Sequence, residues 1–281
     1  MISAQSAAKT IVAGGFATRY LEAGRPGRPT VVLIHDGGVG TTADLCWGAV
    51  IDLLAPDFHI FAPELLGWGG TDKVVYFDRS PYAARLPHVA AFVDAVGIET
   101  ACFAGVSFGG SLIMRATVAP GNPWRIRRAV SVSGAGGPYR LAAGVQALAN
   151  FRPGMDDARK LVELIVGTAD GFDRYVRQLY ENSLIPGHWE AMMAPGLKNP
   201  AIDSPPPKDD YLDLLAGTEI PTLLVAGRRD PLLEEGWAVK LAAVSKRLTV
   251  RELDTGHEPN IAQPRLTADI LRDFFSEEAA R

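Results

Sequence analysis

Cysteine is scarce in this chain. Cys46 and Cys102 are the only two among 281 residues, too few for a disulfide framework and without the spacing of a zinc site. Positive charge is not in surplus either. Lys and Arg number 28 against 32 Asp and Glu, for a net charge of −4. The densest basic cluster, Arg125, Arg127 and Arg128, is too short to grip a phosphate backbone, which excludes nucleic acid as a partner. Long apolar runs are missing. The longest are of strand length and broken by Gly and Ser, so no membrane span is expected. Residues 1–10 lack the apolar core of a signal peptide. Neither G-x-x-x-x-G-K-[ST] nor G-x-G-x-x-G occurs, which argues against a nucleotide. These absences lead us to expect a cytoplasmic, reduced protein with no metal and no cofactor.

Short β-branched runs do occur, and they alternate with longer amphipathic stretches. Val31-Val32-Leu33-Ile34 reads as a strand buried on both faces. His59–Ala62, Cys102–Ala104, Ala129–Val132, Thr222–Ala226 and Leu248–Leu253 read as further strands. Apolar side chains at helical spacing run from Pro81 to Val96, where Gly97 is a helix stop. Alternation of this kind builds an α/β fold, a mostly parallel sheet flanked by helices. The rhythm breaks between about Tyr139 and Gly217, a stretch with helical spacing that ends in Ser204-Pro205-Pro206-Pro207. We expect a helical lid at 139–216, inserted into a core formed by 1–138 and 217–281.

Gly105-Val106-Ser107-Phe108-Gly109 is a G-x-S-x-G pentapeptide between an apolar strand and a helical stretch. With 29 glycines in the chain, chance supplies about 0.1 such matches. A serine on a sharp, strained strand-to-helix turn projects its hydroxyl from the sheet, and the flanking glycines relieve crowding there. The nucleophile needs a base, and the base needs an orienting acid. His257 follows the last strand and Asp230 follows Thr222–Ala226, which matches the chain order Ser, Asp, His. Asp254 is the rival acid, but it lies only three residues before His257. After the strand Val31–Ile34 comes His35-Asp36-Gly37-Gly38-Val39-Gly40, a turn able to offer a second backbone donor to an oxyanion. Asp36 can bond its own turn.

These segments together resemble the α/β-hydrolase superfamily, and within it the meta-cleavage product hydrolases, which cut a carbon–carbon bond in ring-opened aromatic dienoates. The resemblance is carried by Leu33-Ile34-His35, Leu66–Asp72, Gly105–Gly110, Ser183-Leu184-Ile185, Gly187-His188-Trp189-Glu190, Ala226–Asp230 and Gly256-His257. It implies Ser107 as nucleophile, His257 as base and Asp230 as its orienter. It further implies oxyanion donors among the amides of Gly37, Gly38 and Phe108, and a mobile lid over the substrate. His35, Cys46, His188, Trp189 and Glu258 fall at substrate-contacting positions.

The chain departs from the family near the substrate. His188 stands for the lid arginine that grips the substrate carboxylate, and imidazole is no bidentate clamp. Cys46 replaces an asparagine, Glu258 a tryptophan, Asp36 a glycine and Glu64 an aspartate. These changes imply a more neutral substrate or one held in another pose. The expected function is a serine hydrolase acting on a small molecule by carbon–carbon cleavage. The alternatives are an esterase or lactonase on a neutral apolar ester, or a sensor or non-hydrolytic biosynthetic enzyme of the same fold. A homodimer is expected only by analogy.

Overall fold

The computed structural model describes residues 6–134, 137–194 and 209–277. Eight strands form one sheet: β1 (Ala7–Ala13), β2 (Phe16–Ala23), β3 (Thr30–Ile34), β4 (His59–Pro63), β5 (Ala101–Val106), β6 (Ile126–Val132), β7 (Thr222–Gly227) and β8 (Leu248–Leu253). The helices of the first half are α1 (Ala43–Leu54), α2 (Pro81–Ala95) and α3 (Phe108–Ala116). Between β6 and β7 come α4 (Ala142–Ala149), α5 (Met155–Val166), α6 (Asp173–Ser183), α7 (His188–Met193) and α8 (Tyr211–Leu214). The chain ends with α9 (Trp237–Ala242), α10 (Pro259–Ala262) and α11 (Pro264–Ser276).

The strand order is β1-β2-β4-β3-β5-β6-β7-β8. From β4 to β8 every pairing is parallel, while β1 and β2 join by antiparallel pairing. The sequence reading has no counterpart to this first hairpin. Its cue is present in Gly14-Gly15, both with positive φ (60° and 89°), a pair suited to a two-residue turn. The strands themselves give little signal, because β1 is an edge strand with mostly exposed side chains and no apolar run.

The six expected strands are all present: β3, β5 and β7 are continuous apolar runs, β6 starts three residues before the expected Ala129, and β8 (LTVREL) alternates apolar and polar residues at the sheet edge. The alternation along β3 sorts its side chains into two layers. Val31 and Leu33 pack with Trp47, Ile51 and Phe275 of α1 and α11, whereas Val32 and Ile34 pack with Phe92, Leu112 and Ile113 of α2 and α3. Each such side chain, once buried, stabilises the fold by about 1.5–3 kcal/mol. Helix α2 starts at Ser80, whose hydroxyl accepts from Ala83 N, and it is followed by Gly97 at φ 73°.

The stretch expected to lack strands holds α4 to α8 and a short 3-10 turn, Leu215–Gly217, among its described residues. Leu161, Val162 and Ile165 of α5 and Val176 and Leu179 of α6 share an apolar cluster with Leu45, Leu224 and Trp237. The Pro-rich segment Ser204–Pro207 lies outside the described residues.

The chain passes from β3 to β4 on one side of the sheet and then to β5 on the other. Ile34 pairs with Gly105 at the ends of β3 and β5. The turns that follow these strands therefore emerge side by side, at the point where an open parallel sheet places a ligand crevice.

Candidate active site

Ser107 sits between β5 and α3 with φ 53° and ψ −112°. A non-glycine residue held in this region costs on the order of 1–3 kcal/mol. Neighbouring hydrogen bonds keep it there. Ser107 N donates to Val132 O at 2.8 Å, and Ser107 O accepts from Ser111 N at 2.9 Å. The glycines of the pentapeptide serve close approach. A Cβ on Gly105 would lie 2.5 Å from Gly109 C, and one on Gly109 would lie 2.4 Å from His35 O. Ser107 is half-buried and lines a cavity of about 240 Å³ shared with His257, Asp36, Glu258 and an apolar wall that includes Leu161 and Ile165.

His257 Nδ1 donates to Asp230 Oδ2 at 2.7 Å, and both side chains are almost fully buried. The other Asp230 oxygen accepts from Leu232 N at 2.8 Å. With its proton on Nδ1, the imidazole presents a bare lone pair at Nε2. That atom is buried and has no hydrogen-bond partner among the described residues. Asp254 is the acid left out, since it is exposed and pairs with Arg229 at 3.0 Å. The two loops can meet because a Cβ on Gly227 would sit only 2.1 Å from Gly256 O.

Of the three expected oxyanion donors, Gly38 is corrected by the structure. Its N–H donates to Asp36 Oδ1 at 2.6 Å, while Thr41 Oγ1 donates to Asp36 Oδ2 at 2.6 Å. A short aspartate side chain closes its own turn in this way. The Gly37 and Phe108 amides have no acceptor among the described residues. Phe108 N opens α3, where the first-turn N–H groups and the helix dipole favour negative charge. A Cβ on Gly37 would lie 2.8 Å from Phe108 Cβ, so the glycine lets these two backbones pack closely.

The expected substrate contacts divide. Glu258 lines the cavity, whereas His35, Cys46, His188 and Trp189 do not. His35 is an internal tie: its Nδ1 donates to Asp36 O at 2.6 Å and its Nε2 accepts from Leu65 N at 2.9 Å. His188 is fully buried and accepts from Gly40 N at 2.8 Å through Nε2. Burial, with Lys73 and His35 nearby, pushes its imidazole down to about 4, so it is neutral at pH 7. Trp189 packs beside Phe151 and Arg152. Cys46 is buried and borders a separate cavity of about 680 Å³ that includes Asn260 and Gln178. Trp68, a further motif residue, donates from Nε1 to Gly38 O at 3.1 Å and stacks on Phe108, which braces the turn.

Glu258 is not the exposed carboxylate that its loop position allows. It is 2 % exposed, and its Oε2 has no partner among the described residues. Burial pushes its carboxyl well up, and the negative neighbours Asp36 and Asp230 push it further. Its surroundings thus favour the un-ionised carboxyl over the carboxylate. Sequence reading missed Ser133, Arg140, Phe151 and Tyr175 on the same cavity wall. They come from distant segments and carry no motif. Only tertiary packing gathers them.

The model of the alpha/beta hydrolase family matches residues 31–270 of the chain. The chain is 28% identical to the 2-hydroxymuconate semialdehyde hydrolase of Pseudomonas sp. strain CF600, over 97% of this chain and 95% of that protein. It is 26% identical to the carboxylesterase YbfK of Bacillus subtilis, over 92% of this chain and 84% of that protein. Among solved structures it is similar to a meta-cleavage product hydrolase from Pseudomonas fluorescens IP01. That match has a TM-score of 0.82 at 26% identity and covers 95% of this chain and 97% of the other. A match over most of the length, joined to this sheet order and this Ser-turn, places the chain by descent: it belongs to the alpha/beta hydrolase family.

Proposed function

We propose that this hydrolase uses Ser107 as nucleophile, His257 as general base and Asp230 as orienter, and that it cleaves a carbon–carbon bond next to a carbonyl. The observation that carries the reading is the His257–Asp230 hydrogen bond, which leaves Nε2 unpartnered beside the cavity that holds the strained Ser107. In the first step Nε2 takes the Ser107 proton while Oγ attacks the carbonyl carbon. The Gly37 and Phe108 amides hold the oxyanion. Collapse of the adduct breaks the carbon–carbon bond, and His257 hands the proton to the departing carbon. That departure requires a substrate already in its keto form, in which the electron pair is delocalised. Water then attacks the acyl-serine, His257 takes its proton, and Ser107 is regenerated as the acid leaves.

The likeness to 2-hydroxymuconate semialdehyde and meta-cleavage product hydrolases supports ring-opened dienoates as the substrate class. The helices between β6 and β7 act in this reading as a lid, residues 139–216, over the core. Leu148, Phe151, Leu161 and Ile165 from that segment supply much of the apolar wall.

The test is the loss of a dienoate's visible absorbance in wild type and in Ser107→Ala. Rapid loss that depends on Ser107 supports carbon–carbon cleavage. No loss from folded protein moves the assignment to a carboxylic ester, the second reading. That reading draws on the similarity to a carboxylesterase and on the absence, among the described residues, of a Lys or Arg at the inner end of the cavity beside Asp36, Ser107, His257 and Glu258.

A further inference from the structure

The cavity that holds Ser107 is electrostatically lopsided. Its buried end carries Asp36 and Glu258. The oxygens of Asp36 are occupied by Gly38 N and Thr41 Oγ1, and Glu258 has carboxyl groups as its charged neighbours. The charged and titratable side chains there are acids beside His257, and the free Gly37 and Phe108 amides are committed to the oxyanion, so no side-chain cation is left at that end for a separate carboxylate among the described residues. On the exposed side of the same cavity stands Arg140, the one Lys or Arg on the cavity wall among the described residues.

Arg140 is held in place. Its backbone bridges Leu233, and the next residue donates from Leu141 N to Leu232 O at 2.9 Å. Both leucines line the cavity. Its side chain donates from Nη2 to Tyr82 Oη at 2.8 Å, and the Tyr82 ring stacks on Phe108 at 4.8 Å, next to the nucleophile. Among the described residues no carboxylate pairs with Arg140. Its guanidinium carries five N–H groups in a planar fork that matches a carboxylate, and the single bond to Tyr82 leaves most of them available.

We infer that Arg140 receives a carboxylate of the substrate, so that the substrate lies with its acid toward the exposed side and its apolar body along Leu148, Phe151 and Ile165. This rests on the proposed hydrolase reading and deepens it. The substrate is then a carbonyl compound bearing a separate carboxylate. It is held in a pose set by Arg140 and not by position 188, whose histidine is spent on Gly40.

The test is a binding measurement that does not require turnover. Monomethyl suberate and dimethyl suberate are titrated calorimetrically into the Ser107→Ala protein and into the Ser107→Ala/Arg140→Gln protein. Because Arg140 is exposed, the substitution leaves the core intact. We expect Ser107→Ala to bind the monoacid about tenfold more tightly than the diester, a preference that weakens with added salt and disappears with Arg140→Gln. Equal affinities in Ser107→Ala overturn the inference, as does failure to bind either compound or a preference that survives Arg140→Gln. Wild-type hydrolysis of the diester, abolished by Ser107→Ala, reports separately on the hydrolase reading.

Discussion

His188 holds Gly40. The backbone N–H of Gly40 donates to His188 Nε2 at 2.8 Å, and the carbonyl of the same glycine accepts from Asn182 Nδ2 at 2.9 Å. The helical segment between β6 and β7 is thereby tied to the turn that carries Gly37. A Cβ at position 40 would lie 2.1 Å from Leu179 O, so only glycine allows the two to come this close.

His188→Ala leaves the buried Gly40 amide without a partner, which costs about 1–3 kcal/mol. His188→Arg fails in the same way and places a charge where the imidazole is buried. We expect both variants to lower the urea midpoint. We do not expect His188→Arg to improve KM for a carboxylate-bearing dienoate. An improved KM with unchanged stability would put residue 188 in the cavity.

Acid should destabilise the fold through two histidines. Burial first, then Arg85 beside His88 and Lys73 beside His188, push the two imidazoles each down to about 4 from the ordinary 6.5. Between those values the unfolded chain binds more protons than the native one, so stability falls as pH drops from about 6.5 to about 4. Chemical denaturation at pH 7 and pH 4.5 measures the slope. A His88→Gln variant, which keeps a side chain able to bond Thr18, should flatten it.

Glu258 acts in the opposite direction. Its carboxyl is raised by burial and by Asp36 and Asp230, so the native state holds a proton that the unfolded state has released. That contribution is present in full below the ordinary carboxylate range and is lost as pH rises toward the native value. Glu258→Gln should therefore be more stable than wild type at pH 8, with the two converging near pH 4. Equal denaturation midpoints at pH 8 would show that the carboxyl ionises freely.

Ser107 separates strain from function. Ser107→Ala should abolish turnover with the fold retained. Ser107→Gly should also abolish turnover, yet be more stable than Ser107→Ala by about 1 kcal/mol, because glycine adopts φ 53° without a Cβ penalty. Thermal denaturation of the pair reads the difference.

Asp230→Asn keeps the shape of the site but can hold His257 in the wrong tautomer. We expect kcat to fall by about 10⁴, the scale of such a change in a serine protease triad, with little change in KM. A fall below tenfold would pass the orienting role to another acid.

Strand positions were legible because burial on both faces demands uninterrupted apolar runs, and Val31–Ile34 and Thr222–Ala226 supply them locally. The Ser107 turn was legible for a similar reason, since its glycines and its strand and helix flanks are neighbours in the chain. The β1–β2 hairpin was not. An exposed edge strand needs no apolar run, and its Gly14-Gly15 turn went unread. The roles of His188 and Glu258 were also out of reach, because they depend on what packs against them from distant segments: Gly40 on His188, and Asp36 and Asp230 around Glu258.

The amino-acid sequence by itself determined the alternation of strands and helices and the order Ser107, Asp230, His257. Periodicity and turn chemistry act between near neighbours, so they survive in one dimension. Tertiary structure decided the rest. It turned His188 into a backbone acceptor, occupied the Gly38 amide with Asp36, buried the Glu258 carboxyl beside Asp36 and Asp230 and set Arg140 on the cavity wall. Hydrogen-bond partners and local dielectric are properties of neighbours in space. Only the folded chain assigns them.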